Sequence, residues 1–295
     1  MTRLFAFAAA LLLTALTVSS SCVALPSSPL RFTLEEPNGA TNGTVQLTFR
    51  QEGNGDTHFT SNSFLTKDLG GLDLAALRGG GSGPIRFAVA GDPGRVDCTG
   101  TGGSGRASGT CQVVANPSFN AFLAASGIRQ PTESETFSLI AVGANRATVT
   151  ALADARYPVP SIDDLTDLAA LDVSPGYIRA LSSGGYRPQT IDDLVEFAAL
   201  GITPAYVEGF VRAGYGQLKA HELVELKALA ITPDYVAGFE RAGYRNLPVD
   251  TLVELKALDI TPDFVRAVQR GGPLPSPDRL ILLRSVGQDI SKQAN

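Results

Sequence analysis

The chain has 295 residues, with 24 lysines and arginines against 29 aspartates and glutamates and a formal charge of −5. An acidic balance disfavours binding to a phosphate backbone, which needs clustered cations. About 270 residues remain after a leader, enough for two modest cores.

Residues 1–24 read as a targeting segment. Arg3 supplies a positive start, 4–18 (LFAFAAALLLTALTV) is unbroken apolar sequence, and Ser19, Ser20, Ser21 and Ala24 supply small residues for cleavage. The run is short of the roughly 20 apolar residues that span a bilayer, so a secretory signal is expected rather than an anchor. A second option is lipidation of Cys22. Ser20 and Ser21 before it suit that processing, whereas Ser19 stands where an aliphatic residue is usual. Ordinary cleavage after Ala24 would discard Cys22. Either route predicts an exported protein, periplasmic or extracellular, with no transmembrane segment after the leader. The second route adds a lipid anchor.

Residues 25–115 alternate apolar and polar residues in short runs: RFTL at 31–34, VQLTF at 45–49, HFTS at 58–61, IRFAV at 85–89 and CQVV at 111–114. Turn-rich separators stand at 37–39, 42–43, 53–55 and 91–94. This spacing predicts an antiparallel sheet closing into a small sandwich or barrel, with a helical turn within 68–78. Cys98 and Cys111 are expected to form a disulfide, as befits an oxidising compartment. The glycine-rich stretch between them reads as a floppy loop, whose closure would stabilise the fold by roughly 3 kcal/mol. A metal pair is the alternative, but no histidine lies near either cysteine.

From Asn116 the period becomes 29. ITPAYV at 202–207, ITPDYV at 231–236 and ITPDFV at 260–265 are the clearest copies, and VSPGYI at 173–178 keeps the register. Such self-similarity marks a stacked array. Asn116, Asn145, Ser174, Thr203, Thr232 and Thr261 form a column of helix N-caps, followed in five cases by proline at the first helical position. Gly127, Gly185, Gly214, Gly243 and Gly272 are expected to end these helices in a left-handed conformation. Ahead of each lies another helix, begun by a capping box at Thr132, Ser161 or Thr190. Leu165, Leu168 and Leu171 and their equivalents are assigned to its buried face. The overall expectation is an α+β chain: a β sandwich or barrel followed by α-helical hairpins in an α-solenoid-like array over 116–286, then a polar tail at 287–295.

The units LVELKAL at 223–229 and ITPDYV at 231–236, with Ala242-Gly-Tyr244, resemble a family of bacterial exported proteins of uncharacterised function. In that family, units of the form LVELKALGITPEYV occur in tandem. Similar units form extracytoplasmic tails on antibiotic-sensing regulatory metallopeptidases. The segment GTCQVVANPSF at 109–119 is similar to the family's junction between a β region and its repeats. The resemblance covers roughly 108–272. It implies an architecture and a cell-envelope location and no catalytic residues. The metallopeptidase portion has no counterpart here.

The remaining motifs point away from catalysis. GTGGSG at 100–105 matches a dinucleotide fingerprint but lacks the strand-to-helix setting that motif needs. His58 and His221 are the only histidines, and Glu225 stands where a zinc-protease motif would need the second histidine. No catalytic, metal or cofactor residue is therefore assigned. A helix-hairpin-helix reading fails on charge. Residues 158–272 hold ten lysines and arginines against sixteen aspartates and glutamates, a net of −6. Two tyrosine columns read as inter-repeat packing more readily than as a sugar or peptide ladder. Two charge columns remain: Asp167, Glu196, Glu225 and Glu254 on the first helices, and Arg212, Arg241 and Arg270 on the second. As solvated faces they contribute little; as a striped surface they would dock a partner. The expectation is a non-enzymatic envelope protein whose repeats bind a protein or peptide. The alternatives are a ligand binder or unusual hydrolase centred on the β region, and a self-associating structural protein.

Overall fold

A computed structural model describes residues 29–37, 43–52, 57–184, 186–270 and 272–293, with backbone alone at 51–52, 57–59 and 287–293. The expected leader with Cys22, the turns at 38–42 and 53–56, Gly185, and the side chains of His58 and of the tail lie outside that description.

Six strands, β1 (Leu30–Glu35), β2 (Thr44–Glu52), β3 (Thr57–Leu65), β4 (Gly83–Gly91), β5 (Gly94–Gly103) and β6 (Arg106–Ala115), form one antiparallel sheet in the order β3-β2-β1-β6-β5-β4. The sheet curls into a half-barrel. Side chains alternate across a strand, so Leu30, Phe32, Leu34, Val45, Leu47, Phe49, Ile85, Phe87 and Val89 are buried on one face. The intervening polar residues form the other. Among the described residues no second sheet covers the buried face. Instead Leu77 of a short helix, α1 (Leu74–Arg78), fills one part of it, capped by the Asp73 carboxylate, which accepts from the Ala75 and Ala76 amides. The helical turn expected at 68–78 is thus real but shorter.

The stretch between the cysteines is not a floppy loop. It is the end of β5 and the start of β6, joined by a tight turn with Ser104 at φ 53° and Gly105 at φ 78°. Paired positive φ values suit a two-residue hairpin. Cys98 and Cys111 stand directly opposite each other and are disulfide-bonded. Gly100 and Gly109, two positions nearer the turn, are the next pair on the same face of the sheet. A Cβ on either would lie 2.0 or 2.1 Å from a backbone oxygen of the facing strand. Glycine is required by close backbone approach there, not by flexibility.

The array consists of two layers. One holds α3 (Glu133–Ala141), α5 (Ile162–Ala170), α7 (Ile191–Ala199), α9 (Ala220–Ala228), α11 (Val249–Ala257) and α13 (Pro277–Gln293). The other holds α2 (Pro117–Ala125), α4 (Arg146–Asp154), α6 (Pro175–Ser183), α8 (Pro204–Arg212), α10 (Pro233–Arg241) and α12 (Pro262–Gln269). From α3 onward in the first layer, and from α4 onward in the second, each helix packs on the one that follows in its own layer. All six caps of the Asn116-to-Thr261 column accept a hydrogen bond from an amide in the first turn. The capping boxes at Thr132, Ser161 and Thr190 are formed. Arg129 donates to Glu135 in the first of these, and that pairing, with the Thr132 amide, holds the Glu135 carboxyl down at about 2.

Gly127, Gly214 and Gly243 have φ of 78°, 87° and 106°, and Arg156 takes the same left-handed position where the column lacks glycine. Gly272 does not. Helix α12 ends early, and Arg270 at its C-cap is the left-handed residue, with φ 33°. The last helix, α13, continues through the polar segment to Gln293 instead of ending at 286.

The change of sequence grammar at 115–116 does not coincide with a division in packing. Phe137 and Ile140 of α3 belong to the sheet's core, where the Phe137 ring meets Phe49 edge-on at 5.1 Å, while Leu139 of the same helix faces the helical core. A polar clasp supports this joint. The Arg146 amide donates to the Asp92 carboxylate at 2.8 Å, and the Asn116 side chain donates to the Asp92 carbonyl at 3.0 Å. The Arg146 guanidinium lies over Phe119 and Phe122.

Candidate interaction surface

The first-layer helices build the surface. Spacing of three in a helix drifts by about 60° per step. Leu165 and Leu168 are therefore buried, but Leu171 has turned out of the core. It is 38% exposed, and its equivalents Leu200 and Leu229 are 38% and 36% exposed. These three leucines, expected on the buried face, lie at the surface instead; Leu258 is half-buried.

Each of these leucines lies four residues after an acidic residue: Asp167 before Leu171, Glu196 before Leu200, Glu225 before Leu229 and Glu254 before Leu258. Residues four apart share a helical face. All four carboxylates are exposed and, among the described residues, none makes an ion pair. Asp163, Asp192 and Asp250 extend the acidic side by a further turn. Packed helices are spaced about 8–10 Å apart. Four successive helices thus present an acidic margin, and the first three of them a row of exposed leucines beside it.

The arginine column is placed differently. Arg212 and Arg241 are the last residues of α8 and α10, and Arg270 caps α12. They are exposed, lie in the other layer, and none forms an ion pair among the described residues. Positive charge at these helix ends favours the helix dipole, so the column has a local structural use. The two charge columns belong to different layers, the carboxylates to the first helices and the arginines to the second.

The tyrosines are engaged within the array. Tyr177, Tyr206 and Tyr235 donate to the carbonyls of Ile202, Ile231 and Ile260 in the following unit at 2.6, 2.7 and 2.8 Å. Burial raises their pKa values, that of Tyr177 to about 12. Lys227 and Lys256 lie over the rings of Tyr206 and Tyr235 at 5.0 and 5.2 Å. In the second column, Tyr215 and Tyr244 donate to Leu247 and Pro275. The Tyr157 hydroxyl is buried and, among the described residues, has no hydrogen-bond partner, while the Arg187 guanidinium lies over its ring.

His221 is exposed in the first turn of α9, and the backbone of His58 lies in β3 opposite Gln51. Among the described residues no three His, Cys, Asp or Glu side chains are grouped as a metal ion needs. No single described helix is long and apolar enough to cross a membrane. Comparison with protein-family models, curated proteins and solved structures returns no match.

Proposed function

We propose that this chain is a non-enzymatic binding protein of the cell envelope, and that its first-layer helices dock a basic, partly apolar segment of another protein. The ridge of acid–leucine pairs carries this reading. Unpaired carboxylates attract lysine and arginine over distances of about a Debye length, and exposed leucines in a regular row give apolar anchors that solvent alone does not explain. The exported location rests on residues 1–24. Self-association through bare array ends is less well supported, because α3 is packed on the sheet and α11 is covered by α13.

The test is partner capture from envelope extract by the whole mature chain. A fragment starting at Asn116 would leave Phe137 and Ile140 uncovered. Reversal of Glu196, Glu225 and Glu254 to Lys should abolish capture of a basic partner, and raised salt should weaken it. Reversal of Arg212, Arg241 and Arg270 to Glu should leave it in place. Capture that survives the first set removes this ridge from consideration, and capture lost with the second set alone transfers the function to the other layer.

A further inference from the structure

The outward face of the sheet carries a row of hydroxyl groups. The strand register sets Ser61, Thr48, Thr33, Ser108 and Thr101 side by side across five neighbouring strands. The two ends of this row behave differently. Ser61 and Thr48 are hydrogen-bonded to each other at 2.8 Å, and Gln46 ties Ser61 and Ser63 together at 2.8 and 2.9 Å. The hydroxyls of Thr33, Ser108 and Thr101 are exposed and, among the described residues, have no protein partner.

These three open hydroxyls line a groove of about 460 Å³, within the range of small-ligand sites. Glycines 80 and 81 and Ser82 also line it, as do Glu35 and Arg106. Glu35 and Arg106 are 3.6 Å apart with side chains 55% and 76% exposed, so both retain free hydrogen-bonding capacity. The groove is preformed. The Ser104 amide donates to the Gly79 carbonyl at 2.7 Å, and the Gly105 amide to the Leu77 carbonyl at 2.8 Å. The glycine wall also sits so close to the hairpin that a Cβ on Gly103 would lie 2.2 Å from the Gly81 oxygen.

We propose that this groove is a saccharide site. Hydroxyls that both donate and accept, a carboxylate beside a guanidinium, and exposed glycine peptides match the alternating donors and acceptors of vicinal sugar hydroxyls. An apolar ligand would leave those groups unpaired. A simple anion would meet the Glu35 carboxylate beside Arg106. The site is separate from the helical ridge and does not depend on it.

The experiment is an amide chemical-shift titration of the whole mature chain with glucose, galactose, mannose and N-acetylglucosamine. Each sugar is taken to about 100 mM, well above the millimolar Kd that a few net hydrogen bonds give. At least one sugar should give saturable shifts gathered at residues 33–35, 80–82 and 101–108. Thr33→Val and Thr101→Val, shape-preserving changes on an exposed strand face, should each weaken that binding about tenfold with the remaining spectrum unchanged. The proposal is overturned if no sugar gives saturable shifts there, if the two variants bind as well as the parent, or if inorganic phosphate produces the same shifts.

Discussion

The sheet and the array solve the problem of burying apolar surface in opposite ways. In the sheet, β1 pairs with β6 across most of the region's length, so the half-barrel core exists only when distant segments have met. Its buried face is completed by a helix from the other half. In the array, each unit of 29 residues leans on the next through the same few contacts, repeated. Stability there is a sum of nearest-neighbour terms, whereas the sheet is one cooperative object. The difference teaches where each half is vulnerable: the sheet at its joint with α3, the array at any contact that recurs.

The largest expected effect is at the joint. Phe137→Ala removes the ring that meets Phe49 and should cost about 3–5 kcal/mol. Urea unfolding followed separately by a sheet signal and a helical signal should show the sheet's midpoint falling most. If the helical signal alone shifts, α3 is a member of the array and not a shared element.

Within the array, Gly238 and Gly209 should be the most sensitive exchanges for alanine. A Cβ on Gly238 would lie 2.6 Å from Cγ of Pro262, and one on Gly209 would lie 2.5 Å from Cγ of Pro233. Helix propensity alone favours alanine by about 1 kcal/mol, but overpacking against a rigid ring typically costs about 1–3 kcal/mol. Gly238→Ala should therefore lower thermal stability. A raised Tm would show that neighbouring units slide apart easily, contrary to the tight stacking described above.

The tyrosine ladder offers a smaller effect with an internal control. Tyr206→Phe leaves the Ile231 carbonyl without its donor and should cost about 1 kcal/mol. Tyr157→Phe removes a buried hydroxyl that has no partner among the described residues and should be neutral or stabilising. Equal losses in both variants would mean that the hydroxyls act through something other than the inter-unit bond.

The sequence was legible where a residue's chemistry acts locally. Thr203, Thr232 and Thr261 were readable as caps because the cap's own side chain makes the bond. The helical period and the Cys98–Cys111 pair were readable for similar reasons. Legibility failed where the deciding contact is distant. Gly100 and Gly109 look like loop residues until the facing strand is in place. Phe137 reads as an ordinary array residue because Phe49 lies far back in the chain. The acidic column is visible in sequence, but a spacing of three predicts Leu171, Leu200 and Leu229 inward, whereas the drift of about 60° per step carries them to the surface. The hydroxyl groove left no trace at all, since Thr33, Thr101 and Ser108 become neighbours only through strand register.

One further column was hidden because its occupants share a backbone conformation and no side-chain type. The residue that ends each first-layer helix from α3 to α11 is left-handed: Gly143 at φ 73°, Asp172 at 53°, Gly201 at 63°, Ala230 at 52° and Asp259 at 51°. These stand 29 apart, yet only two are glycine. Aspartate tolerates this region through local hydrogen bonding, whereas alanine has no such compensation and carries roughly 1–2 kcal/mol of strain. Nothing else argues for alanine at 230, which is exposed. Ala230→Gly should therefore stabilise the array by about 1 kcal/mol, the relieved strain being partly offset by the greater freedom of glycine in the unfolded chain. The same exchange at Asp259 should give less, because Arg284 of α13 holds that carboxylate at 3.4 Å. Thermal unfolding of the two single variants beside the parent measures both. A destabilised Ala230→Gly protein would mean that the array tolerates its left-handed positions through the flexibility of its stacking, and that its units are less sharply defined than those of the sheet.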